Sequence, residues 1–262
     1  GAVQVANTAL AAGADRLGVA TVDEAARLRQ AGITAPIHLL SEPPPGSAGL
    51  VVRHSLIPGL YSRDFALALS KAATVAQTVA QFHLKVDSGM NRIGVAAEEA
   101  VGFVESLRGL PGIAMEGVYT HFATADVPGD WEFDRQVQRF SAAVRELRAH
   151  RIDCGIVHAA NSAATILHPE THLGMVRCGV ALYGLHPSDA TRGRVELEPA
   201  MAVKARVIQV RRISMGAGVG YGFTYHATPP TRLAPPPLGS ADAIRLGPPK
   251  PPRALTPAAG GP

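Results

Sequence analysis

The sequence predicts an α/β protein, a TIM-like (β/α)8 barrel lacking its first strand, followed by the start of a C-terminal β domain and a disordered proline-rich tail. Three observations carry this. Seven apolar, strand-like stretches alternate with helical ones between Arg16 and Leu185, which implies a parallel sheet curling toward a barrel. After Pro199 the alternation gives way to an extended, β-branched run. Eleven of the 21 prolines then fall in the last 34 residues, where they can neither pack a core nor donate ladder hydrogen bonds. The expected boundaries are 1–190 for the incomplete barrel, 191–228 for the β domain and 229–262 for the tail.

The elements follow in order. A helical pattern (Val3, Ala6, Leu10) precedes the first strand, Arg16 to Thr21. Val22 to Gln30 is a helix closed by Gly32. Strands are expected at Pro36 to Ser41 and Leu56 to Ser62, then a mostly helical stretch from Arg63 to Ala80. The run Phe82 to Asp87 is the next strand, Ala97 to Gly109 a helix and Met115 to Phe122 a strand. From Phe133 to His150, apolar Val137, Phe140, Val144 and Leu147 recur at helical spacing. Ile156 to Ala160 and Met175 to Leu185 complete the series. Beyond it, Met201 to Val210 opens the β domain, with glycine-rich turns up to Tyr225.

Composition narrows the function. The 262 residues are 47% apolar and carry a formal charge of +4. No block of Lys and Arg interleaved with aromatics occurs, so nucleic acid is not an expected partner. No apolar run is long enough for a membrane span, and no charged n-region of a secretory signal is seen, so neither is expected. Cys154 and Cys178 lack ligand spacing and read as reduced core thiols of a cytoplasmic protein. The start at Gly1, already inside a helical pattern, reads as a cut end.

Strands of such folds deliver polar groups to their carboxyl ends, where ligands bind. Four ends do so here. The segment HLKVDSGMNRIG supplies Lys85 and Arg92, and YTHFATAD supplies His121. HAANSAA turns from strand into helix at Asn161 and Ser162, and MVRCGVALYG supplies Arg177, Gly179 and Val180. A serine and free N–H groups at a helix start suit a phosphate. Taken singly, each group has a plainer role: His121 as a hydrogen-bonded core histidine, Ser162 as a helix cap, Arg177 as one half of an ion pair. At successive strand ends they describe a site for a phosphorylated cofactor, lined by arginine and histidine.

With these motifs and VGYGFTY, the chain resembles the alanine racemases from Gly1 to about Thr228. The resemblance implies pyridoxal 5'-phosphate as cofactor, alanine as substrate, racemisation as activity and a homodimer as the active unit. Residue by residue, it implies that Ser162, Gly179 and Val180 hold the cofactor phosphate, with Asn161 beside them. Arg177 faces the pyridine nitrogen, Arg92 lies near the cofactor hydroxyl, and Lys85 matches a lysine often carboxylated to position it. His121 stands behind Arg177. Tyr221 matches a catalytic tyrosine that reaches the partner subunit's site. An arginine facing the pyridine nitrogen leaves it unprotonated, which makes the ring a weak electron sink and restrains side reactions.

Two departures accompany the resemblance. The family's cofactor lysine lies in a K-A-x-A-Y-G-H-G motif whose last glycine corresponds to Gly1, so this sequence is expected to lack that lysine and to be inactive as it stands. Leu238 to Ala243 resembles a damaged G-Y-A-D-G segment. Two alternatives remain open: a non-catalytic, cofactor-binding barrel, and a dimer partner of an intact racemase.

Overall fold

The computed structural model describes residues 1–237 and Gly239. They fall into two compact units that divide after Ala200. The echo at Leu238 to Ala243 and most of the proline-rich tail lie outside the described residues.

In the first unit, helix α1 (Ala2–Ala11) precedes strand β1 (Leu17–Val19) and helix α2 (Val22–Gln30). Next come β2 (Ile37–Leu39), α3 (Ala48–Arg53), β3 (Leu56–Leu60), α4 (Arg63–Val75) and β4 (Ala80–Asp87). They are followed by β5 (Val95–Ala96), α5 (Ala100–Ser106), β6 (Ile113–Tyr119), α6 (Trp131–Ala149), β7 (Ile156–His158) and α7 (Ser162–Leu167). The strands pair in the order β1-β2-β3-β4-β6-β7, all parallel, with β5 attached to β4. Arg16, just ahead of β1, touches Glu116 of β6, so the sheet is curled. This is the expected partial barrel.

Local chemistry sets the helix starts. Thr21 accepts from the Glu24 N–H while the Glu24 carboxylate accepts from Ala20 and Thr21, a reciprocal cap on α2. Ser62 caps α4 and Asp130 caps α6 in the same way from one side. Beneath the helices lie two apolar clusters. One gathers Leu28, Ile37, Val51, Leu60, Phe65 and Leu69, and the other Leu84, Val118, Phe133, Phe140 and Leu147.

Arg29 ties the first of these together at the backbone. Its guanidinium donates to the carbonyls of Ile33 and Ala35 at 2.7 Å, His54 at 2.9 Å and Ser55 at 3.3 Å. Arg29→Ala should lower stability by about 2–3 kcal/mol, because several carbonyls lose a charged donor at once. Lysine cannot reproduce that fork, so Arg29→Lys should recover less than half of the loss in a urea titration.

The sequence expectation fails in three places. Met175 to Leu185 is not a strand: only Met175 bridges to His158, and Val180–Tyr183 forms a 3-10 turn that Gly184 closes at φ 75°. Met201 to Val210 joins no ladder, and the first strand of the second unit is β8 (Arg211–Ile213). Cys154 is buried as expected, whereas Cys178 is exposed.

The second unit contains small antiparallel pairs. Strand β9 (Gly218–Val219) pairs with β10 (Tyr225–His226), and β8 pairs with β11 (Thr231–Leu233), which lies beyond Pro229. Among the described residues no helix is long and apolar enough to cross a membrane.

Candidate functional site

Strand alternation sends Phe82, Leu84 and Val86 toward the helices and His83 and Lys85 toward the inner face. A bulge in β6 does the rest. Phe82 pairs with Met115 but His83 pairs with Gly117, so Glu116 is an extra residue, and both Glu116 and Gly117 reach the inner face. A Cβ on Gly117 would lie 2.5 Å from His83 Cε1, so the absence of a side chain makes room for the imidazole.

Arg177 is the hub. Its Nη1 donates to His158 Nδ1 at 2.8 Å. Its Nη2 donates to the carbonyls of Thr120 (2.7 Å) and Ala159 (2.9 Å), and stands 3.4 Å from His121 Nδ1. Behind it, His158 Nε2 lies 2.7 Å from His83 Nδ1, and His83 Nε2 lies 3.1 Å from Glu116 Oε2. Arg16 clamps both Glu116 oxygens at 2.9 and 3.0 Å. Tyr119 stacks on His158 with ring centroids 4.9 Å apart and planes 7° apart, while its hydroxyl donates to the Leu40 carbonyl at 2.9 Å.

Burial and neighbouring cations keep these histidines neutral. Burial first, then the adjacent His83 and Arg16, hold His38 down at about 3. Burial takes His83 to about 4 despite the Glu116 carboxylate. Burial, then Arg177, Lys85 and Arg92, take His121 to about 4. Burial and then Arg177 push His158 down further still. The His83–Glu116 contact is therefore a hydrogen bond to a carboxylate, not an ion pair. Burial opposes ionisation of Glu116, but its bonds to Arg16 and His83 outweigh it and hold the carboxyl below the usual range.

The sign of the pH dependence follows. Between about 6.5 and about 4 the unfolded chain binds protons that the folded histidines refuse. Stability is therefore complete above pH 6.5 and declines as the pH falls toward 4. Urea midpoints across that interval should show the decline, and His83→Gln should flatten it.

Lys85 is 3% exposed; its amine donates to the Val86 carbonyl at 3.3 Å and sits 5.2 Å above the Tyr119 ring. Burial, then Arg177, lower it to about 7, with Asp87 opposing and Arg92 assisting. Arg92 is exposed on the loop after β4, which Asp87 organises by accepting from the N–H groups of Gly89 and Asn91. Asn161, not Ser162, caps α7: it accepts from Ala164 and donates to the Phe122 carbonyl. Ser162 is the first helical residue. Its buried hydroxyl oxygen accepts from Gly179 at 2.9 Å and Ala181 at 3.4 Å, which draws the turn carrying Gly179 and Val180 onto the start of α7. Tyr221 belongs to the second unit, where it begins a short turn and is fully exposed.

The structure thus brings Lys85, His121, Arg177, Asn161, Ser162, Gly179 and Val180 to one end of the curled sheet. Sequence reasoning missed Arg16, His38, His83, Glu116, Tyr119 and His158. The available signal was a histidine between apolar neighbours in three strands (Ile37-His38-Leu39, Phe82-His83-Leu84, Val157-His158-Ala159). His38, His83 and Glu116 lie close enough to share a metal, but Arg16 already pairs with Glu116 and both nitrogens of His83 are engaged.

The donor inventory tests a phosphorylated pyridine. Two N–H groups fill the acceptor positions of Ser162, so the hydroxyl proton is left for an anion. A Cβ on Gly179 would meet nothing within 4 Å, so there is open space in front of that turn. Arg177 retains its Nε–H and one Nη1–H, and Arg92 and Lys85 add positive charge. An anionic ring with an acceptor nitrogen fits this set.

Comparison with known proteins agrees. The profile "Alanine racemase, N-terminal domain" matches residues 1–187, and "Alanine racemase, C-terminal domain" matches 200–248. The alanine racemase of Desulfovibrio desulfuricans is 46% identical over 242 residues, 92% of this chain and 65% of its own. That of Desulfosudis oleivorans is 44% identical over 254 residues, 93% and 65% of the two chains. The chain thus spans just under two thirds of these relatives. Among solved structures, alanine racemase from Streptomyces coelicolor superposes with a TM-score of 0.83 at 32% identity, covering 93% of this chain and 66% of its own. The Bacillus anthracis enzyme, solved with bound L-Ala-P, gives 0.79 at 38% identity, covering 92% and 63%. A histidine racemase from Leuconostoc mesenteroides gives 0.75 at 29%, covering 92% and 64%. By sequence along nearly its whole length, and by fold, the chain belongs to the alanine racemase family.

Proposed function

We propose that this chain forms the cofactor-gripping part of a pyridoxal 5'-phosphate-dependent racemase that interconverts L- and D-alanine. The observation that carries the reading is the matched pair of donors: an arginine with N–H groups to spare, and a buried serine with its hydroxyl proton free. Arg177 would meet the pyridine nitrogen, and Ser162 with the Gly179–Val180 turn the phosphate. Arg92 would lie by the cofactor hydroxyl. When bound, the cofactor supplies an electron sink for the charge left on the substrate α-carbon.

The residues of this chain set how strong that sink is. Arg177 donates and cannot be deprotonated by the ring, so no proton is delivered to the pyridine nitrogen. His121, kept neutral, cannot deliver one either. Lys85, with its amine near neutrality, is nucleophilic enough to take up carbon dioxide, giving a carbamate and releasing a proton. The carbamate would replace a cation among cations by an anion that draws Arg92 and Arg177 inward. Tyr221 is the base of a homodimer, serving the partner's site. Alanine as substrate and a cytoplasmic location accompany this reading.

Titration with pyridoxal phosphate, followed by absorbance, tests it. We expect saturable, reversible binding that Ser162→Ala weakens by about tenfold, the scale of one hydrogen bond to a charged group. Binding that Ser162→Ala and Arg177→Ala leave unchanged would remove the site assignment. Sedimentation tests the dimer, and a D-amino-acid oxidase assay for D-alanine tests turnover.

A further inference from the structure

The bonds behind Arg177 run in a single direction. Arginine can only donate, so His158 must accept at Nδ1 and, being neutral, carries its proton on Nε2. That proton points at His83 Nδ1, which must accept, so His83 carries its own proton on Nε2. His83 then donates to Glu116 Oε2. Glu116 is an end point: it only accepts, from His83 on one side and twice from Arg16 on the other. The rings cannot swivel out of this order. Tyr119 is stacked flat on His158, and His83 fills the space beside Gly117. Every link is buried or partly buried, and no buried side-chain polar atom among the described residues lacks a partner.

We propose that Glu116 is a positioning residue for Arg177. By accepting at the foot of the chain, it fixes both histidines in the Nε2–H form and keeps the His158 Nδ1 lone pair aimed at the guanidinium that faces the cofactor. This rests on the cofactor site proposed above. Its consequence is that a group three hydrogen bonds from Arg177 governs how Arg177 is held. A donor placed where Glu116 stands would reverse each bond in turn and set an N–H of His158 against an N–H of Arg177.

Charge exchange makes that reversal with the ion pair retained. In Arg16→Glu/Glu116→Arg the salt bridge survives, but His83 now meets a guanidinium. Glu116→Gln keeps an acceptor oxygen for His83 and should keep the order. Long-range proton–nitrogen NMR of the histidine rings reads the tautomers in the full chain without cofactor, with His158→Gln used to assign them. We expect Nε2–H on both rings in the unchanged protein and in Glu116→Gln, and Nδ1–H on both in the exchanged pair. Pyridoxal phosphate should bind the exchanged pair roughly 10- to 100-fold more weakly, as for a lost hydrogen bond to a charged group, and Glu116→Gln within about threefold of the original.

If the exchanged pair does not fold, Glu116→Leu serves: with no acceptor at the foot, the two tautomers should mix. Nδ1–H on His158 in the unchanged chain would overturn the proposal. So would unaltered tautomers and cofactor affinity in the exchanged pair. Failure of the unchanged chain to bind pyridoxal phosphate would instead count against the cofactor site, while the tautomer readings would still judge the chain of bonds.

Discussion

Arg177→Ala should lower stability by about 3–5 kcal/mol, since His158 Nδ1 and the carbonyls of Thr120 and Ala159 lose their donor together. That is a large share of the stability an ordinary domain has, roughly 5–15 kcal/mol. The same substitution should abolish pyridoxal phosphate binding. Arg177→Lys keeps the charge but not the planar fork, so it should restore part of the stability and little of the binding. Urea titration beside cofactor titration separates the two effects. A variant that loses stability but binds cofactor normally would mean that the guanidinium is only a structural strut.

Gly59→Ala should be the next most damaging. A Cβ there would lie 2.2 Å from the Tyr119 hydroxyl oxygen and 3.2 Å from its Cζ. The ring must retreat, which breaks its bond to the Leu40 carbonyl and its stack on His158. Overpacking of this kind costs about 1–3 kcal/mol, and the lost hydrogen bond about 1 kcal/mol more. Deleting the hydroxyl should relieve the clash. Gly59→Ala/Tyr119→Phe is therefore expected to be nearly as stable as Tyr119→Phe alone, a non-additivity that a double-mutant cycle measures. Simple additivity would show that the methyl is accommodated by backbone movement elsewhere.

Much of the barrel was legible because its strands combine apolar composition with nearby turn chemistry. β1, β2 and β3 fall within the expected runs, β4 starts two residues before its expected run, and α6 starts two residues before its own. Met175 to Leu185 misled because its apolar composition resembles a strand. A strand is defined by a partner, and only Met175 has one there, while Gly179 and Gly184 bend the rest. Val203 to Val210 misled for the same reason: β-branched residues favour a pleated surface but do not create one.

The site divides along the same line. That Lys85, Ser162 and Arg177 gather at one end of the sheet was legible from the polar groups that follow apolar runs in the sequence. Glu116 was not, because its role comes from a bulge and from an arginine 100 residues earlier in the chain. His83 and His158 stand 75 residues apart, and no local pattern announces that they share a proton.

These separations also bear on the order in which the molecule forms. The first apolar cluster draws its buried residues from Ala6 to Leu107, and the second from Leu84 to Ala164. Each can gather largely from neighbouring strand–helix units, whereas the Arg16–Glu116 clamp must close a loop through the whole of the first. Distant contacts of this kind are slow to form, since loop entropy is lost before the contact compensates for it. Arg177, which we propose faces the cofactor, is therefore held correctly only late in folding, after both clusters have assembled. Competence to take up pyridoxal phosphate should lag behind the recovery of helix during refolding.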